Sequence, residues 1–178
     1  MKVFKTEISG CLYFDHCNYK DQRGFFYEIY KKNRYSKYIK NNFVQENFSE
    51  SKKNVFRGMH FQIKEPQGKL LTVVSGKIKD IIIDLRKKSP TFGRSISINL
   101  SYSKYQQIWI PPGLGHGFFT LSNKAKIIYQ CTEYYNPNNE RTLSYLDHKI
   151  IKFLPKRKYI ISKKDKKGLS FNEVIQLC

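Results

Sequence analysis

Short strand-like runs, broken every few residues by glycine, proline or asparagine, limit what this chain can fold into more than any other feature. Lys69-Leu-Leu-Thr-Val-Val-Ser and Lys77-Ile-Lys-Asp-Ile-Ile-Ile-Asp-Leu lie on either side of a Ser75-Gly76 turn. Arg94-Ser-Ile-Ser-Ile-Asn-Leu alternates cleanly and puts Ile96, Ile98 and Leu100 on one face. Gln107-Ile-Trp-Ile stops at Pro111-Pro-Gly, Gly117-Phe-Phe-Thr-Leu follows, and a run from Ala125 to Tyr135 is closed by Asn136-Pro137. Helical patterning is confined to a short stretch from Asn33 to Asn41 and a weak one near the C-terminus. A parallel α/β sheet needs a helix at each crossover, so that class is excluded. The pattern predicts an all-β antiparallel jelly-roll barrel with a few short helices, one domain over residues 1–178, with its ligand in the mouth or interior.

Composition narrows the function classes. No apolar run approaches the ~20 residues of a membrane helix. The N-terminal Met1-Lys-Val-Phe-Lys-Thr-Glu lacks the apolar core of a signal peptide, which points to the cytoplasm. Cys11, Cys17, Cys131 and Cys178 form no CxxC pair and read as reduced thiols. The formal net charge is +19, with denser runs at Lys31-Lys32, Lys156-Arg157-Lys158 and Lys163-Lys164/Lys166-Lys167. No nucleic-acid motif accompanies these lysines, so they read mainly as a solvated surface, with a few left for an anionic ligand.

The run Val55-Phe-Arg57-Gly-Met-His60-Phe-Gln62 carries the first candidates for chemistry. An arginine can hold a pyrophosphate and a histidine can serve as general base. Strand parity puts Gly58, His60 and Gln62 on one face and Arg57 on the other, so both reach one pocket only if Gly58 breaks the alternation with a bulge or a close backbone approach. Lys69, in Gln67-Gly-Lys-Leu, supplies a second positive charge. His116 sits between two glycines that allow close approach of backbone to ligand. The chain has no H-x-H pair, and His16 and His148 lie in polar, turn-like contexts, so no metal centre is expected. Tyr129 and Tyr135 share a parity on one run, and a tyrosine can act as a general acid. Asp80, Asp84 and Asp165 are all candidate partners for His60 or Lys69, and sequence alone does not choose among them. Arg23 and Glu28, in Asp21-Gln-Arg-Gly-Phe-Phe-Tyr-Glu28, and Gln45 and Asn47 complete the polar set.

Taken in order, six segments resemble the dTDP-4-dehydrorhamnose 3,5-epimerases, which are cupin-type jelly rolls. They are Phe43-Val-Gln-Glu-Asn-Phe-Ser-Glu-Ser, Val55-Phe-Arg-Gly-Met-His-Phe-Gln, Gln67-Gly-Lys-Leu, Asp84-Leu-Arg-Lys-Lys-Ser-Pro-Thr-Phe-Gly, Ile110-Pro-Pro-Gly-Leu-Gly-His-Gly-Phe and Tyr134-Tyr-Asn-Pro-Asn-Asn-Glu140. Each is weak alone; six in the family's order are specific. The resemblance implies His60 as general base, Asp165 as its carboxylate, Lys69 beside the C4 oxygen of the sugar and Tyr129 as general acid. It implies Tyr135 stacked on thymine, and substrate binding by Arg23, Glu28, Gln45, Asn47, Arg57, His116, Glu140 and Lys164. It further implies a dTDP-linked substrate, no cofactor, and a homodimer in which an N-terminal strand joins the neighbour's sheet. Relatives that invert one carbon, act on other nucleotide-linked sugars including GDP-sugars, or shift the keto group remain alternatives, as does a non-catalytic binding jelly roll. Tyr145-Leu-Asp147 and Phe153-Leu-Pro155 depart from the family's Trp-Asn-Asp and Trp-Pro, near the expected C-terminal cover of the site.

Overall fold

The computed structural model describes residues 1–177; Cys178 lies outside the described residues. One antiparallel sheet has six strands in the order β1 (Lys2–Lys5), β2 (Leu12–Asp15), β10 (Gln106–Ile110), β7 (Lys69–Ser75), β12 (Lys124–Cys131), β5 (Gln45–Lys52). A second has five, in the order β13 (Glu140–Thr142), β6 (Phe56–Gln62), β11 (Leu114–Thr120), β8 (Lys77–Asp84), β9 (Ser95–Ser101). β3 (Tyr19–Asp21) and β4 (Gly24–Phe26) form a separate hairpin. The two large sheets face each other as a jelly roll.

Alternation builds the interior. Leu71 and Val73 of β7, Ile108 and Ile110 of β10, and Ile127 of β12 meet Ile78 and Ile82 of β8, Ile96 and Leu100 of β9, and Phe118 of β11. The opposite faces are covered too. Tyr35 of α1 (Lys32–Tyr35) and Ile39 pack with Phe14, Leu70 and Trp109 on the back of the six-stranded sheet. Leu143, Ile150 of α2 (His148–Ile151), Leu154, and Phe171 and Val174 of α3 (Phe171–Leu177) cover Met59, Phe61, Ile81 and Phe119 behind the other. Burial on both faces explains why β7 and β8 read as near-continuous apolar runs rather than alternating ones.

The Ser75-Gly76 turn does not pair its flanking strands with each other. It carries the chain from one sheet to the other, and Gly76 has φ +79° with Lys124 O only 2.1 Å from any added Cβ. The expected helix over 33–41 is a single turn, and α2 gave no sequence signal. His16, expected in a polar turn, is buried behind β2, where Gln107 Oε1 lies 3.0 Å and Tyr35 Oη 3.1 Å from its Nε2.

Candidate active site

A bulge in β6 creates the site. Opposite β11, His116 pairs with His60 but Phe118 pairs with Arg57, so four residues of β6 span three of β11. The extra residue restores Arg57 and His60 to one side, while Met59 and Phe61 turn to the outer core. Gly58 makes this possible. Its φ is +124°, and an added Cβ would stand 2.5 Å from Gly117 Cα and 2.8 Å from His116 O. The facing Gly117 is as tight, since a Cβ there would lie 2.7 Å from Arg57 O. Two glycines thus let the strands close up at the point where their flanking side chains must converge.

Those side chains line a cavity of ≈390 Å³ between the sheets. Arg57, His60, His116 and Phe118 enter it from the five-stranded sheet. Asn47, Lys69, Ile127 and Tyr129 enter from the six-stranded sheet. His60 Nε2 is 2.7 Å from Asp165 Oδ1, and the other carboxylate oxygen accepts from Gly58 N at 3.1 Å. Asp165 is itself fixed by its N–H donating to Ser162 Oγ at 3.0 Å. Burial opposes the Asp165 anion, but the hydrogen bonds from His60, Gly58 and Ser162 prevail and hold its pKa below the usual carboxylate range. With Nε2 engaged by a carboxylate, the neutral imidazole carries its lone pair on Nδ1.

The three aspartates that sequence did not separate have three different partners. Asp165 holds His60. Asp80, fully buried on β8, lies with Oδ2 2.8 Å from His116 Nε2. Asp84 accepts from Arg86, Ser89 and Thr91. Against its burial these donors hold its pKa at about 2, so it ties down a loop and takes no part in the cavity. Two cavity groups are perturbed mainly by desolvation. Burial lowers the Lys69 pKa, with Cys131, Glu140 and Asp80 pulling the other way. Burial raises that of Tyr129, which keeps the phenol protonated well above neutrality.

At the rim, Tyr135 donates to Glu140 Oε2 at 2.8 Å, Lys164 pairs with the same carboxylate, and Gln45 Oε1 accepts from Tyr135 N at 2.9 Å. Gln45 also donates to Asn47 Oδ1 at 3.0 Å. Tyr135 lies beyond the end of β12, in a loop, so the parity shared with Tyr129 is not what positions it. Arg57 crosses to β5 by donating to Ser51 Oγ at 2.9 Å. Arg23 and Glu28 are not brought to this cavity by their own chain. Arg23 is on the exposed hairpin with Asp21, and Glu28 pairs with Arg34 at 3.0 Å. Among residues that sequence reasoning passed over, Cys131 sits beside the site, where Asn47 Nδ2 lies 3.7 Å from its Sγ. Its strand parity with Tyr129 was the available signal.

An imidazole entering from one sheet, with a phenol and an amine entering from the other, is in keeping with what comparison with known proteins finds. The family model for dTDP-4-dehydrorhamnose 3,5-epimerase matches residues 5–173. The chain belongs to the dTDP-4-dehydrorhamnose 3,5-epimerase family. Its members include the Salmonella typhimurium epimerase, 44% identical over 153 residues and 84% of each chain. The Shigella flexneri enzyme is 40% identical over 175 residues and 96% of each. A solved epimerase of Legionella pneumophila, in complex with dTDP-4-keto-L-rhamnose, superimposes with a TM-score of 0.92 at 39% identity, over 96% of this chain and 93% of that one. The chain is therefore an isomerase with the family's cupin-type jelly roll. The family departures at Tyr145 and Phe153 fall in the outer core, where Tyr145 packs on Phe56 and Tyr159, and neither residue lines the cavity.

Proposed function

We propose that the chain inverts C3 and C5 of dTDP-4-dehydro-6-deoxy-D-glucose to give dTDP-4-dehydro-L-rhamnose, a precursor for surface polysaccharide. The observation that carries this reading is that His60 and Tyr129 enter one cavity from opposite sheets. Inversion requires a proton to leave from one face of a carbon and return to the other.

The C4 ketone acidifies the hydrogens on C3 and C5. His60 Nδ1 takes one, the C–H pair becomes a carbon–carbon double bond, and the carbonyl pair moves to the C4 oxygen. The Lys69 ammonium stabilises that oxyanion in a desolvated cavity, where electrostatic stabilisation is strongest. Tyr129 O–H then protonates the carbon from the far face and the C4 carbonyl reforms. Solvent reprotonates the tyrosinate and removes the proton from His60. Asp165 orients the ring and stabilises its cation. The ketone is the electron sink, so the sequence of steps calls for no cofactor.

Arg57, His116, Asn47, Gln45, Tyr135, Glu140 and Lys164 bind the nucleotide sugar on this reading. Arg23 and Glu28 serve the cavity of a second copy in a homodimer. An exposed β1 edge with Phe4 on it, and a hairpin carrying exposed Tyr19 and Phe26, support such an assembly. A nucleotide-linked substrate fits a cytoplasmic enzyme built on one domain.

The test is incubation with the dTDP-4-keto sugar in D2O. Wild type is expected to incorporate deuterium at C3 and C5 and to yield the L-rhamno product by NMR, with His60→Ala and Tyr129→Phe each abolishing or redirecting inversion. Wild-type rates in both variants would sink the assignment. A migrated keto group would instead identify a ketoisomerase.

A further inference from the structure

Lys163, Lys166 and Lys167 have no part in the chemistry, yet they belong to the segment that brings Asp165 to His60. Asp165 is buried, whereas Lys163, Lys164, Lys166 and Lys167 are all exposed. Asp165–Lys167 is a single 3₁₀ turn, in which successive side chains point about 120° apart. One inward aspartate therefore throws its lysine neighbours outward around the residue that holds His60. Their Cα atoms lie no more than ~7.6 Å from that of Asp165, two peptide units away.

Two acidic groups near the rim are matched by lysines. Glu140 pairs with Lys164, and Glu50 lies 3.7 Å from Lys124 and 3.6 Å from Lys126. Lys163, Lys166 and Lys167 have no ion-pair partner among the described residues. Within the cavity Arg57 and Lys69 continue the same sign. Exposed positive charge beside the Asp165 turn is thus continued by cations in the cavity, which is the arrangement that focuses a field on a charged ligand.

We infer that Lys163, Lys166 and Lys167 form an electrostatic funnel that captures the diphosphate of the incoming nucleotide sugar. They contact neither the reacting carbons nor the seated ligand, and act on the rate of encounter. The inference rests on the proposed nucleotide-diphosphate substrate, and its test is separable from that reading. Association of dTDP is followed by stopped-flow fluorescence across a series of salt concentrations, with uncharged thymidine as control. The triple variant Lys163→Gln/Lys166→Gln/Lys167→Gln is expected to bind dTDP about tenfold more slowly at low salt. Its salt dependence should be shallower than that of wild type, the two converging once the Debye length shrinks to a few ångströms near 1 M. Thymidine should be unaffected, and the matching triple arginine variant should restore the rate. Equal dTDP rates and salt slopes in wild type and the glutamine variant would overturn the funnel. A loss that arginine does not rescue, or that salt does not alter, would also overturn it, marking damage to the Asp165 turn. Wild type that binds dTDP in this manner but exchanges no sugar hydrogen would overturn the catalytic reading and leave the funnel standing. Failure to bind dTDP at all would overturn both.

Discussion

Gly58→Ala disturbs the bulge on which the site depends, and its effect divides into two parts that can be measured separately. The first is conformational, because alanine must adopt φ +124°. The second is steric, because its Cβ meets Gly117 Cα at 2.5 Å and His116 O at 2.8 Å, both backbone atoms that no rotamer change can move. Gly24, the first residue of β4, has φ +130° with nothing within 4 Å of an added Cβ, so Gly24→Ala isolates the first part. That part costs on the order of 1–3 kcal/mol. The overlap at Gly58 adds roughly another 1–3 kcal/mol, since β6 and β11 must separate. The combined loss is a large share of the 5–15 kcal/mol or so by which domains are stable. In a chain of this size each kcal/mol shifts Tm by about 2–4 °C. Thermal unfolding at one protein concentration should therefore place Gly58→Ala about 2–12 °C below Gly24→Ala. Gly58→Ala should also lose activity below its Tm, because parting the strands separates Arg57 from His60, whereas Gly24→Ala leaves that geometry intact. Equal Tm shifts in the two variants would refute the close-approach argument.

Two further expectations concern pH. Asp84 has a folded pKa of about 2 against an ordinary 3.8, so it contributes roughly 2 kcal/mol that is present above about pH 4 and is lost as pH falls toward 2. Acid unfolding of Asp84→Asn should be less steep across that interval, and an unchanged slope would mean the Arg86–Ser89–Thr91 cluster does not hold the carboxylate as described. Burial lowers the Lys69 pKa and raises that of Tyr129, so the ammonium should deprotonate first on the alkaline side. The alkaline limb of kcat should then fall below the ordinary lysine value of about 10.4 and vanish in Lys69→Arg; a limb that persists there belongs to another group.

The fold was legible where alternation is strict. β9 keeps Ile96 and Leu100 in the interior as its pattern requires, and β7, β8 and β10 begin and end within a residue or two of their punctuation. Which sheet each strand joins was not legible, because partner choice is a long-range property. The Ser75-Gly76 turn is the example, since the same two residues serve to change sheets. At the site, the conflict between Arg57 and His60 parity required a break in alternation at Gly58, and the register shows a bulge there. The choice among Asp80, Asp84 and Asp165 was not available from sequence, because 105 positions separate Asp165 from His60 and only the folded C-terminal segment brings them together. His16 misled for a similar reason. Its neighbours in sequence are polar, but its neighbours in space are Tyr35 and Gln107.

The placement of base and acid on separate sheets has a consequence for how two carbons are handled. Stacked sheets stand about 10 Å apart and their cores are close-packed, so neither His60 nor Tyr129 can swing to follow a substrate. One fixed pair must serve both C3 and C5 on the proposed chemistry. The pyranose ring itself then has to turn or pucker between the two inversions while its nucleotide stays anchored at the rim. The freedom that walls such as Phe118 and Ile127 leave for that movement, rather than any change of catalytic group, sets whether one carbon or both are inverted before the product departs.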